Sequence, residues 1–116
     1  MARWRDTIGY LVRRLKCAPV ARSAEEQQRI EAATRQLALY RFRGCPYCAV
    51  VTRAIRRLGL DIEIRDTLLH PKWARELLRE GGKNQVPCLR IEEEGGAVTW
   101  MYESADIVAY LRTRFG

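Results

Sequence analysis

Hydrophobic and polar residues recur along the chain with two different periods, which predict its helices and strands. Apolar residues at helical spacing over residues 3–16 predict a first amphipathic helix, with arginines on the opposite face. Ser23 followed by Glu26 is a capping-box pattern, so a second helix is predicted from there to about Arg35. The alternating residues of Leu37–Phe42 then predict a strand.

The later elements are predicted in the order helix, strand, helix, strand, strand, helix. Their predicted ranges are a helix from Pro46 to Gly59, a strand over 61–65, a helix from Pro71 to Gly81, strands over Val86–Ile91 and Ala97–Tyr102, and a helix capped by Ser104. This order predicts an α/β domain over residues 36–116, with a four-stranded mixed sheet flanked by helices. Residues 1–35 are predicted to form an N-terminal helical extension.

The positive charge is concentrated at the start of the chain. Of the net charge of +7 on 116 residues, +5 falls within residues 1–22. Because the rest shows no basic stripe, nucleic-acid binding is not expected, whereas a basic amphipathic helix indicates a membrane-surface or protein contact. No apolar stretch approaches the roughly 20 residues that span a bilayer. A cytoplasmic protein is expected, and a peripheral location at a membrane surface stays open. The Arg-rich start also resembles a mitochondrial presequence, which leaves the matrix open for a eukaryotic source.

Two of the four cysteines, Cys45 and Cys48, form a C-x-x-C pair. A structural zinc ion needs four ligands, so one such pair indicates a redox motif, and no metal is expected. Cys45 directly precedes a predicted helix, whose free N–H groups and dipole favour a thiolate, and Arg41 and Arg43 add positive potential. Cys48 lies one helical turn later, where it can attack a mixed disulfide on Cys45. Cys88 stands alone and is expected to pack in the core.

Three separated motifs give the chain its family resemblance. They are Cys45-Pro46-Tyr47-Cys48, Val86-Pro87 and Glu103-Ser104. The first, in this order of elements, resembles a glutaredoxin of the thioredoxin-fold superfamily, and the other two resemble the related N-terminal domain of glutathione transferases. The resemblance covers residues 36–116 and implies a thioredoxin-like (glutaredoxin) fold. It also implies a cis Val86–Pro87 bond facing Cys45, where the residues alone would favour trans. The stretch before the last helix departs from typical glutaredoxins, since it lacks their glycine pair.

The function that the resemblance implies is glutathione-dependent reduction of disulfides, with Cys45 as nucleophile and Cys48 as resolving thiol. Glutathione is the implied cosubstrate, and disulfide-bearing or glutathionylated proteins are the implied partners. The implied glutathione contacts are Arg43, Tyr47, Lys83, Gln85, Val86, Pro87, Glu103 and Ser104. The alternative for Glu103 and Ser104 is ordinary helix capping, and for Lys83 it is a solvated loop position.

Two other functional classes stay open at this point. One is a non-catalytic module that binds glutathione or an iron–sulfur cluster through Cys45. The other is an adaptor that docks on a membrane or partner through its basic first helix. Glutathione transferases carry a second, helical domain for the electrophilic substrate, and this chain has no room for one after Gly116. Conjugation of electrophiles is therefore not expected.

Overall fold

The computed structural model describes residues 22–116, and its first helix, α1 (Ala24–Thr34), begins with the predicted capping box. Ser23 Oγ accepts a hydrogen bond from the Glu26 backbone N–H at 3.1 Å, and the Glu26 carboxylate accepts one from the Ser23 N–H at 3.1 Å. This reciprocal pairing satisfies two N–H groups that the first turn of a helix leaves free. The predicted helix over residues 3–16 and Cys17 lie outside the described residues.

The elements after α1 follow the predicted order. They are β1 (Leu37–Arg41), α2 (Pro46–Arg57), β2 (Glu63–Asp66), α3 (Pro71–Glu76) with a π-helical turn (Leu77–Gly81), β3 (Cys88–Glu92), β4 (Val98–Met101) and α4 (Ser104–Phe115). The strands form one sheet in the order β2-β1-β3-β4. β1 and β2 are parallel because α2 carries the chain back across the sheet, and β3 is antiparallel to both β1 and β4. The predicted thioredoxin-like fold class is confirmed.

Some boundaries differ from the sequence prediction. β2 begins at Glu63 rather than Asp61, and β3 begins at Cys88 rather than Val86. The later start of β3 follows from Pro87, which has no N–H to donate to the ladder. The helix from Pro71 keeps its predicted length but widens to a π-turn in its second half. These shifts leave the order of elements unchanged.

The two faces of the sheet bury two clusters of side chains. On one face, Leu37 and Leu39 of β1 pack with residues of α2 and α4 in the larger cluster. On the other face, Tyr40 packs with Leu77 and Cys88, and tryptophans surround them. Neighbouring residues of a strand point to opposite faces, so β1 supplies both clusters from one run of five residues.

The helix α1 is attached to the same core. Its Ile30 and Ala33 pack against the larger cluster. Just before it, Arg22 donates hydrogen bonds to the carbonyls of Leu58 at 2.6 Å and Phe115 at 2.7 Å. These two residues lie at the C-terminal ends of α2 and α4. The division of the chain at residue 35 into an extension and a domain stays a prediction. None of the helices within residues 22–116 is long and apolar enough to cross a membrane.

A buried polar network links β1, β2 and α3. Arg65 donates through Nη1 to the Tyr40 hydroxyl at 2.7 Å and to Glu76 Oε1 at 2.8 Å, and the Tyr40 hydroxyl also bonds to Glu76. The guanidinium lies 4.5 Å from the centroid of the Trp73 ring. The network holds α3 against the edge strand β2, with every polar group in contact with a partner.

Candidate active site

Cys45 is the N-cap residue of α2, at the strand-to-helix junction predicted for it. Gly44 turns the chain there with φ of +90°, a conformation that favours glycine, and Pro46 occupies the first turn of the helix. Cys45 Sγ accepts a hydrogen bond from the Cys48 backbone N–H at 3.3 Å. The sulfur takes the place that a capping oxygen takes in other helices, so a negative charge on it is stabilised by the free end of the helix.

Cys48 lies one turn further along α2 in a different environment. Its side chain is buried, whereas Cys45 is partly exposed. Burial, together with a hydrogen bond to Cys45, raises the pKa of the Cys48 thiol to about 12. Cys48 is therefore a protonated thiol at neutral pH, beneath an accessible sulfur. This asymmetry suits the predicted roles of nucleophile and resolving thiol.

The other motifs converge on Cys45 because of the sheet register. Tyr40 pairs with Cys88, and Leu89 pairs with Met101. The end of β1, the start of β3 and the end of β4 therefore lie at the same end of the sheet. Cys45 follows the first of these ends, the Val86–Pro87 pair precedes the second, and the Glu103–Ser104 pair follows the third. The three motifs singled out in the sequence therefore lie at the same end of the sheet.

The loop before β3 carries four predicted glutathione contacts, Lys83, Gln85, Val86 and Pro87. The Val86–Pro87 peptide bond is cis, as the resemblance implies, and Pro87 is buried while Val86 is half-buried. Lys83 and Gln85 are exposed. The Tyr102 hydroxyl donates to the Lys83 carbonyl at 3.1 Å and so ties this loop to the end of β4. Sequence reasoning missed Tyr102, because no local pattern reveals a partner 19 residues away.

At the start of α4 the structure corrects one prediction. Glu103, not Ser104, is the N-cap residue, and it makes no side-chain capping bond. Ser104 is already helical, so ordinary capping by Ser104 is wrong. Serine is preferred as a cap, but the extended backbone of Glu103 (ψ 130°) places the helix start one residue earlier. The first-turn N–H groups of α4 have no capping side chain, which is the condition for binding a carboxylate there.

The remaining predicted contacts are Arg43, two residues before Cys45, and Tyr47, which lies between the two cysteines. Both are exposed, Tyr47 by 67%. Arg43 lies in the turn before Cys45 and borders a cavity of about 540 Å³ that opens beside the sulfur. None of the other predicted glutathione contacts borders this cavity. It lies between α2 and β2, away from the β3 and β4 motifs.

The described residues hold no metal-binding group and no reactive thiol beyond the C-x-x-C pair. Residues 22–116 contain no group of three or more His, Cys, Asp or Glu side chains that could hold a metal ion. Cys88 is fully buried in the Tyr40 cluster, as predicted, and burial raises the pKa of its thiol to about 12. Cys88 is therefore an unreactive core thiol.

Comparisons with known proteins agree with this geometry. Residues 39–116 match the family model described as glutathione S-transferase, N-terminal domain. An epsilon-class glutathione S-transferase from the housefly is 28% identical, with a TM-score of 0.55, over 69% of this chain and 35% of that one. A glutathione transferase homologue from Drosophila mojavensis with bound glutathione is 23% identical, with a TM-score of 0.57, over 70% and 36% of the two chains.

Smaller proteins share the fold as well. The holo form of glutaredoxin C1 from poplar is 19% identical, with a TM-score of 0.50, over 79% of this chain and 89% of that one. The chain spans about a third of the length of the transferases that it matches. No curated protein matches the chain significantly.

Proposed function

Because the chain belongs to the family of glutathione S-transferase N-terminal domains, we propose that it binds glutathione and uses it to reduce disulfides through Cys45. The observation that carries the proposal is the pair of unlike cysteines on α2. The Cys45 sulfur caps the helix and is accessible, while the Cys48 thiol is buried one turn away with a pKa of about 12.

The proposed reaction begins with the Cys45 thiolate and a mixed disulfide between glutathione and a second thiol. Cys45 attacks the glutathione sulfur, the disulfide bond breaks, and the second thiol leaves as a thiolate that takes up a proton. A second glutathione thiolate then attacks Cys45-bound glutathione, which releases oxidised glutathione and restores the Cys45 thiolate. The net change is one mixed disulfide and one glutathione converted to one thiol and oxidised glutathione.

Cys48 supplies the second route. Its thiol loses a proton and attacks Cys45 Sγ of the mixed disulfide, so that glutathione leaves and a Cys45–Cys48 disulfide forms. Two further glutathione molecules reduce this disulfide. The position of Cys48, one helical turn from Cys45, supports the route, and its raised pKa makes the route slow at neutral pH.

The proposed glutathione site uses backbone groups as much as side chains. Val86 would pair with the cysteinyl part of glutathione in the manner of a short added strand. The uncapped start of α4 at Glu103 and Ser104 would receive the γ-glutamyl carboxylate. Lys83 and Gln85 are exposed in the loop before Val86 and would meet the glycyl carboxylate.

The test is glutathione-dependent reduction of a small mixed disulfide, coupled to glutathione reductase, in three proteins. The intact chain should be active, Cys45→Ser should lose all activity, and Cys48→Ser should keep at least part of it, because the first route needs one cysteine. An inactive intact chain would contradict the proposal. Visible absorbance after anaerobic purification would then indicate a cluster-binding module.

Glutathione conjugation is the rival that the family match favours. It is tested with 1-chloro-2,4-dinitrobenzene as the electrophile in the same three proteins. Conjugation that persists in Cys45→Ser, in a chain that reduces no disulfide, would assign a transferase function instead. Conjugation that is absent while disulfide reduction is present would support the exchange mechanism.

A further inference from the structure

The cavity beside Cys45 is a second surface at the reactive sulfur. We call it the α2–β2 groove, and its lining residues are Arg41, Phe42, Arg43, Gly44, Cys45, Cys48, Ala49, Thr52, Ile55, Arg56, Leu60, Asp61, Ile62 and Ile64. The proposed glutathione contacts on β3 and α4 lie outside it. A disulfide bound at Cys45 has two halves, and the groove is placed to receive the half that is not glutathione.

The floor of the groove is apolar because β2 is an edge strand. Helix α2 covers β1, so side chains of β2 on that face are only partly covered. Ile62, just before β2, is buried, but Ile64 is 38% exposed. An apolar surface of this kind next to a reactive group is typical of a binding site rather than of a solvated edge.

The rim of the groove carries an excess of positive charge. Arg41, Arg43 and Arg56 line it, against the single carboxylate of Asp61. Arg41 is only partly neutralised, since its Nη1 lies 3.5 Å from Asp66 while its Nε is buried without a hydrogen-bond partner. The Asp66 carboxylate also accepts the N–H groups of residues 68–69. Three guanidinium groups against one carboxylate favour an anionic group in the groove.

The length of the groove indicates the size of its occupant. Cys45 and Arg56 are 11 residues apart on one helix, which corresponds to about 16 Å at 1.5 Å per residue. An extended peptide covers this distance with about five residues. Small disulfides attached at Cys45 would not reach Arg56, but a polypeptide would.

We propose that the α2–β2 groove binds the polypeptide half of a glutathionylated protein substrate, in which a carboxylate lies about five residues from the modified cysteine and apolar side chains lie between. The inference rests on the proposed function and names its substrate class. The segment of residues 1–21 is disfavoured as the occupant, because its own basic charge would meet the arginines of the rim.

The test uses glutathionylated peptides that differ at one position. Each peptide has Glu, Gln or Lys five residues from the modified cysteine, with an apolar spacer between them. Each of these residues is tested on the N-terminal and on the C-terminal side of the cysteine. In the intact chain, kcat/KM for deglutathionylation should be about fivefold higher for the better Glu peptide than for its Gln counterpart, as expected for an exposed ion pair. The Glu-to-Gln ratio should fall to about 1 in Arg56→Gln, and Arg56→Glu should prefer the Lys peptide.

Arg53→Gln is the matched control, because Arg53 is exposed on the same helix and does not line the groove. Its Glu-to-Gln ratio should equal that of the intact chain. Equal rates for the Glu, Gln and Lys peptides in both placements, in an active intact chain, would overturn the groove proposal alone. No reduction of any glutathionylated substrate would instead overturn the proposed function. A preference that emerges only after deletion of residues 1–21 would show that this segment, not a substrate, occupies the groove.

Discussion

At the scale of single residues, the two cysteines of one motif differ because one is at the surface and the other is beneath it. Cys45 Sγ meets the free end of a helix, whereas the Cys48 side chain is buried. Burial disfavours the charged form of a thiol, so the second cysteine stays protonated while the first is positioned to react. The proposed difference in role between the two cysteines therefore rests on their difference in burial.

The burial of the Cys48 thiol predicts a steep pH dependence for closure of the Cys45–Cys48 disulfide. Attack needs the Cys48 thiolate, and with a pKa of about 12 its fraction rises about tenfold per pH unit at lower pH. Burial, the largest cause of the raised pKa, persists when Cys45 carries glutathione. The release of glutathione from the isolated mixed disulfide should therefore accelerate about tenfold from pH 7 to pH 8.

The measurement is made by separating released glutathione from the protein at a series of pH values. Cys48→Ser should release none in the absence of added thiol. A rate that levels off below pH 9 would mean that the pKa of Cys48 is close to that of a free thiol.

At the scale of elements, the edge strand β2 is held in place by charge as well as by its ladder to β1. Arg65 of β2 meets the Tyr40 hydroxyl of β1 and the Glu76 carboxylate of α3, with its guanidinium against Trp73. Ile64 of β2 forms part of the floor of the groove beside Cys45. The network on the far face of the sheet therefore supports the floor of the groove.

We expect Glu76→Ala to lower the free energy of unfolding by about 2 kcal/mol, because Glu76 is the more buried of the two carboxylates that pair with Arg65 and also bonds to the Tyr40 hydroxyl. Urea unfolding checks this value. The matched control is Glu80→Ala, which removes the exposed pair with Arg79 and should change stability by less than about 0.5 kcal/mol. Equal effects of the two substitutions would contradict a structural role for the network.

At the scale of the whole molecule, the described part of the chain and the basic start are joined at Arg22. Arg22 bonds to the ends of α2 and α4, and α1 continues from it onto the core. These contacts of Arg22 and α1 are made with residues 37–116. A chain that begins at Arg22 retains every one of them.

We predict that the full chain sediments with vesicles containing anionic lipid and that a chain lacking residues 1–21 does not. Basic residues near such a surface contribute about 1 kcal/mol each, which is lost at high salt. The shortened chain should keep its disulfide reductase activity, because Cys45 and its surroundings are unchanged. Equal sedimentation of both chains, or binding to neutral vesicles alone, would contradict an electrostatic membrane contact.

The sequence by itself determined the order of elements and the position of Cys45 at a strand-to-helix junction, because both depend on short-range patterns. Hydrophobic period, the capping box at Ser23 and the proline after Cys45 act within a few residues. The motifs at Val86 and Glu103 could also be recognised locally, although their meeting with Cys45 follows from strand register.

Only the tertiary structure decided which groups are buried and which face each other. The raised pKa of Cys48, which follows from burial, and the Tyr102 bond to the loop before β3 depend on residues far apart in the chain. The α2–β2 groove exists because β2 lies at the sheet edge, where one helix cannot cover both parallel strands. Contacts of this kind are set by the packing of whole elements, which no local pattern of residues encodes.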